Sequence, residues 1–177
     1  TATPLEPTGL VGYWKFNEGS GNIARDSAGN NHGIVHGATL TEGVSGQAYY
    51  FDGEDDYISV PYADVFQLPT FTVTAWVYLT EAPSAGETHR VIVARGEDEV
   101  SDNSSAPMLA ILPTGSPWGN GVGSEYEDSR DKDEVFDTGF YPPVRKWTYL
   151  TATRSSDGQI RIYANGELLK QWEATAV

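Results

Sequence analysis

The chain has no cysteine, one methionine, and 11 lysines and arginines against 25 aspartates and glutamates. The missing thiols exclude disulfides, thiolate metal sites and cysteine nucleophiles together, a pattern compatible with bacterial export. The shortage of cations leaves a formal net charge of -14 and a pI near 4.4. Such a surface repels phosphate backbones and anionic membranes, so nucleic acid is excluded as a partner. No apolar run approaches the length of a membrane span, and no membrane insertion is expected. Helical periodicity is missing too: no segment keeps a 3.6-residue period behind a capping residue. There is no P-loop, Rossmann glycine run or zinc spacing.

What is present is a globular composition and many strand signals. Hydrophobic residues make up 39% and charged residues 20% of 177 residues, enough for one domain with a sizeable core. Thr1–Thr8 reads as a Pro/Thr linker, the edge of a module in a longer exported chain. Strands are predicted at Leu10–Phe16, Ala48–Asp52, Tyr57–Val60, Phe71–Thr80, Arg90–Ala94, Met108–Leu112, Trp147–Arg154, Gln159–Ala164 and Glu167–Trp172. Gly53–Asp56 is predicted to turn between the second and third of these. Phe71–Thr80 carries bulk on both faces and reads as a mid-sheet strand. Asn165-Gly166 predicts a two-residue hairpin, since both residues tolerate positive φ. Residues 115–143 are long, charged and rich in glycine and aromatics, and read as a functional or mobile loop. Short strands between turn signals predict a two-sheet antiparallel sandwich over residues 9–177.

The order of the local motifs is more specific than any one of them. Gly12-Tyr13-Trp14, Glu18-Gly19-Ser20-Gly21, Asp26-Ser27, Gly29-Asn30 and Gly33 come first. Phe51-Asp52-Gly53, Asp55-Asp56-Tyr57-Ile58, Val60-Pro61, Phe71-Thr72 and Ala75-Trp76-Val77 follow, then Lys146-Trp147 and Ile162-Tyr163-Ala164-Asn165-Gly166. The series resembles a LamG-like jelly-roll domain of the concanavalin A-like lectin/glucanase superfamily. The resemblance implies an all-β, two-sheet antiparallel jelly roll, and it implies a further strand beyond the Asn-Gly hairpin that would lie beside the first. That strand is not found before Val177. A second polypeptide supplying it is therefore an expected partner, because an unpaired sheet edge is a liability.

Calcium is the expected cofactor, in a structural role. Arg25–Gly33 offers one carboxylate, two amides and several carbonyls to a hard cation, so Asp26, Asn30 and Asn31 are candidate ligands, with Glu18 nearby. The resemblance implies a structural calcium near this loop. The alternative is an Asx-turn, in which Asp26 and Asn30 bond their own backbone. Glu54-Asp55-Asp56 reads as a solvated turn. Glu97-Asp98-Glu99, with Asp102 and Asn103, resembles calcium loops of pentraxin-like relatives but is equally a solvated acidic loop.

Among the aromatics, Trp14, Trp76 and Trp147 sit inside strands and read as core. Trp118 lies in a loop without strand pattern, so Trp118, Tyr126 and Tyr141 are the candidate sugar contacts. Trp118 folding back over the sheet is the competing reading. Arg95 could bond an acidic sugar or pair with Glu97. No catalytic residue is assigned. Glycanases of this superfamily use paired acids on one strand face, and Glu97-Asp98-Glu99 and Glu125-Tyr126-Glu127 have that spacing without apolar alternation around them. His32 and His36 read as turn or packing residues, and His89 and Arg90 lack a supporting lyase motif. The expectation is a non-catalytic carbohydrate-binding or adhesion module, extracellular or on a cell surface, taking a poly- or oligosaccharide. The alternatives are a glycoside hydrolase or polysaccharide lyase of the same superfamily, or a protein-binding LamG domain.

Overall fold

The computed structural model describes residues 9–87, 89–94, 109–116, 119–127 and 133–173, with 125–127 and 133–135 described as backbone. Thirteen strands and one 3₁₀ turn account for the regular structure of these residues. Every strand pairing is antiparallel. The chain forms two compact units, residues 1–68 and 69–177.

In the first unit β1 (Ile23–Ala24), β2 (Gly33–His36) and β5 (Tyr57–Ser59) form a sheet in the order β1-β2-β5, while β3 (Thr39–Glu42) pairs with β4 (Gln47–Tyr50). The predicted turn at Gly53–Asp56 lies between β4 and β5, which pair with different strands. It carries the chain from one ladder to another. A 3₁₀ turn at Asp64–Phe66 sets the Phe66 ring 6.3 Å from that of Trp14. Ala24, Val35 and Tyr49 are buried, with Trp14, Phe16, Leu40 and Ile58 packed on them. The predicted strand at Leu10–Phe16 is reduced to one bridge, Trp14 to Asp26. Phe16 sits at φ 60°, in the left-handed region, and so ends any extended run. Nothing among the described residues supports the expected donated strand beside it.

The second unit contains β6 (Phe71–Tyr78), β7 (Arg90–Val93), β8 (Leu109–Ser116), β9 (Gly119–Glu127), β10 (Asp133–Asp137), β11 (Trp147–Arg154), β12 (Gln159–Ala164) and β13 (Glu167–Glu173). They make two four-stranded sheets, β10-β9-β8-β7 and β13-β12-β11-β6. The core between them holds Leu109, Ile111 and Val122 from one sheet and Leu150, Ala152, Ile162 and Ala164 from the other. Each fully buried Leu or Ile contributes roughly 1.5–3 kcal/mol. Asn165 (φ 51°) and Gly166 (φ 83°) make the predicted β12–β13 turn. The Asn165 side chain adds a long-range tie, accepting from the Tyr149 N–H at 3.0 Å.

Two expectations are corrected here. Within residues 115–143, read as a loop, the described residues include strands β9 and β10, which pair over five residues. β6 is not a mid-sheet strand packed on both sides. It ends its sheet's order, and Thr72, Thr74, Trp76 and Tyr78 are exposed.

Candidate functional site

Alternation along β6 buries Val73 and Val77 against the core and turns Trp76 and Tyr78 outward. Antiparallel register with β11 then sets Trp76 opposite Tyr149 and Tyr78 opposite Trp147. The ring centroids lie 5.1 Å apart in the first pair and 5.3 Å in the second, tilted by 43° and 54°. Trp76 is 48% exposed and Tyr78 42%. Two of the three tryptophans predicted as core thus sit on the outer face of a sheet, with Trp147 half-buried there. Only Trp14 packs against a core, its indole N–H donating to the Asn31 carbonyl at 2.9 Å. Thr74 pairs with Thr151 and Thr72 with Thr153 beyond the rings. On the next strand Arg161 donates from Nε to Gln171 at 2.9 Å.

The predicted metal loop is built around Asp26, which is 5% exposed. Its Oδ1 accepts from the N–H groups of Tyr13 (2.9 Å) and Ala28 (2.8 Å). Its Oδ2 accepts from the Asn31 N–H (3.1 Å) and the Asn31 side-chain amide (3.4 Å). Burial pushes this carboxyl up, and the N–H groups of Tyr13, Ala28, Asn31 and Gly29 outweigh it, holding it below its ordinary 3.8. The Asp26 N–H donates to His32 Nδ1 at 3.0 Å, so His32 is a turn partner. Asn31 also reaches the Val11 carbonyl, and Asn30 is exposed. Asp26 and Asn31 are thus joined directly, as an Asx-type hub.

Glu18 accepts from the Arg25 N–H at 2.8 Å through Oε1. Its Oε2 is buried and unpaired among the described groups, as is the Tyr49 hydroxyl. Burial, and second the Glu18 charge, raise the Tyr49 phenol above its ordinary 10.0. A different acidic group has metal-like geometry. Carboxylate oxygens of Asp52, Asp55 and Asp56 come within 4.8 Å of one another, and this triad could hold a metal ion. Sequence reading treated this turn as solvated. Its signal was the Asp-x-x-Asp-Asp spacing on a tight turn, closed by the Asp52 N–H donating to Asp56 Oδ2 at 3.0 Å.

Of the predicted sugar contacts, Tyr141 is half-buried, packs on the core and accepts from the Thr114 hydroxyl at 3.2 Å. Tyr126 lies in β9 opposite Glu134. Trp118 and Arg95, with the acidic cluster at 97–103, lie outside the described residues. Glu125 and Glu127, read as lacking a strand, are in β9, and Asp133 pairs with Glu127.

No described helix is long and apolar enough to cross a membrane, which says nothing of a β-barrel. No curated protein sequence matches the chain significantly. Among solved structures it is similar to domain 4 of AbnA, a GH43 extracellular arabinanase from Geobacillus stearothermophilus, in complex with arabinotriose. The TM-score is 0.59 at 18% identity, over 84% of this chain and 68% of that one. It is also similar to an S-layer domain-containing protein (residues 221-444) from Clostridium thermocellum, with TM-score 0.53 at 20% identity, over 94% and 73%. A laminin G family model, described as the concanavalin A-like lectin/glucanases superfamily, matches residues 52–176. With seven-tenths of its residues matched and an all-β antiparallel architecture, the chain belongs to the concanavalin A-like lectin/glucanase superfamily.

Proposed function

We propose that the protein is a non-catalytic carbohydrate-binding or adhesion module of an extracellular or cell-surface protein. The observation that carries this reading is the two Trp–Tyr contacts on the outer face of β6 and β11, with Trp76 and Tyr78 exposed. Such an aromatic surface offers rings for the C–H faces of sugars and brings no reacting group with it. The likeness to a domain solved with arabinotriose, and to a domain of an S-layer protein, supports the same reading. Tyr141, Trp118, Tyr126 and Arg95 remain candidate contacts at other positions.

Calcium fits as a structural ion, since the available donors are hard oxygens. The triad Asp52, Asp55 and Asp56 supplies carboxylates already close together. In the Glu18–Gly33 segment, Glu18 Oε2 is the acceptor left open, with Asn30 and Asn31 as further oxygen donors and Asp26 shaping the loop. Glycan-array binding with calcium supplied tests the module reading. Retention of at least one poly- or oligosaccharide is expected, and silence across plant, algal and host glycans would refute it.

The second reading, a glycoside hydrolase, is favoured by one observation: Glu125 and Glu127 lie two residues apart in β9, whose register sets Asp133 opposite Glu127. It requires release of reducing ends from a polymer, with Glu125→Gln and Glu127→Gln both abolishing release.

A further inference from the structure

We infer that the outer face of the β6–β11 ribbon is the ligand platform, and that its ligand is an uncharged polysaccharide whose sugars lie over Trp76/Tyr149 and Tyr78/Trp147. This rests on the carbohydrate reading and gives it a place and a ligand class.

The register builds the platform. Each strand contributes one tryptophan and one tyrosine to the same face, in directly opposed pairs. Successive outward residues of a strand stand about 7 Å apart, so the pairs form adjacent steps along the ribbon. Both pairs are tilted rather than stacked face to face, which leaves ring surface open. The opposite face of the same strands is already committed to the core through Val73, Val77, Leu150 and Ala152. The outward rings are therefore in excess of what folding uses. Contiguous exposed apolar surface of this kind marks an interaction site.

Charge selects the occupant. The eight outward positions of the ribbon hold four rings and four threonines, and no ionised group. That neutrality stands out in a chain of net charge -14. A cation or a basic peptide would be drawn to the carboxylates elsewhere, not to this face. An anionic glycan would meet the repulsion of the whole chain, as would a second copy carrying the same charge. Arg161, opposite Thr153 on the adjoining strand, is the nearest cation and donates to Gln171, Gln159 and Ser155. Threonine hydroxyls both donate and accept, which matches sugar hydroxyls. An uncharged glycan satisfies rings and hydroxyls together.

The test uses the full chain with calcium, in affinity electrophoresis and calorimetry. The probes are four uncharged polysaccharides (arabinan, xylan, a β-glucan, a galactomannan) and two anionic ones (alginate, polygalacturonate). At least one uncharged polymer should bind. Trp76→Ala should weaken it about tenfold or more. Thr74→Glu, at an exposed position that keeps every ring, should do the same and retain the wild-type circular dichroism. Tyr62→Ala, which removes an exposed ring in the other unit, should change nothing. Binding that survives both Trp76→Ala and Thr74→Glu but is lost in Trp118→Ala overturns the platform and leaves the module reading intact. Binding of anionic polymers alone overturns the ligand class. A dimer in sedimentation that Thr74→Glu dissociates makes the face a self-interface and overturns the proposal. No binding by the wild type to any polymer refutes the module reading, and this inference falls with it.

Discussion

The first unit holds two acidic turns that solve opposite problems. At Asp26 a single carboxylate is buried and meets four nitrogen donors from three residues. At Asp52, Asp55 and Asp56 three carboxylates crowd within 4.8 Å, and Asp52 and Asp55 are exposed. Backbone N–H groups can replace water around a buried anion, because charge-assisted bonds are strong in a medium of low dielectric. Three carboxylates facing one another cannot replace water for each other; they need solvent or a cation. The same side chain is thus ringed by donors in one turn, whereas in the other Asp52 and Asp56 take one backbone N–H each and the three charges still face one another.

The comparison breaks most easily at Asp26. Removing its carboxylate leaves the N–H groups of Tyr13, Ala28 and Asn31 without their acceptor in a closed loop. Asp26→Ala should therefore destabilise the fold by about 3 kcal/mol in denaturant titration. A loss below about 1 kcal/mol would show that water replaces the carboxylate freely. Acid should act on the same fastener. The folded carboxyl lies below its ordinary 3.8, so its contribution is complete above that value and is lost as pH falls through the lower folded one. Melting temperatures of wild type and Asp26→Asn should then differ most above pH 4 and converge toward pH 2. A gap that widens with acid would contradict the sign.

Gly37 probes the other turn. It sits at φ 75°, and a Cβ there would lie 1.8 Å from Asp56 Oδ1. Gly37→Ala should cost about 1–2 kcal/mol through left-handed strain and should push the Asp56 carboxylate out of the triad. Loss of any calcium-dependent stabilisation together with this cost would tie the triad to the ion. Retained calcium dependence would place the ion elsewhere, Glu18 being the next residue to change.

How far the sequence disclosed these features depends on how local each one is. The β11–β12 pair and the Asn165-Gly166 hairpin were readable almost to the residue, because alternation and turn chemistry are properties of neighbours. β6 was readable in extent but not in burial. Its two faces carry similar bulk, and only the position of the second sheet decides that the valines go in and Trp76 goes out. β9 and β10 escaped because glycine and carboxylates lack strand propensity. Their order comes from pairing with each other and with β8. Gly121 fits there because a Cβ would lie 2.4 Å from the Phe140 carbonyl oxygen. The opening Gly-Tyr-Trp-Lys-Phe run looked extended until Phe16 turned into the left-handed region. Asp26 was visible as a special carboxylate, yet one of its partners, the Tyr13 N–H, lies thirteen residues away.

The smallest effect is the sharpest discriminator between the two turns. Asp55 is exposed, and a neutral amide there removes one of three mutually repelling charges. Without divalent cation, Asp55→Asn should leave stability within about 0.5 kcal/mol of wild type, or raise it slightly. With calcium at about a hundred times its dissociation constant, wild type should gain about 2.7 kcal/mol, and the variant should not. An equal gain in both proteins would remove the triad from the list of cation ligands. A large loss without calcium would mean that Asp55, like Asp26, fastens the fold, and the contrast between the buried and the open carboxylates would disappear.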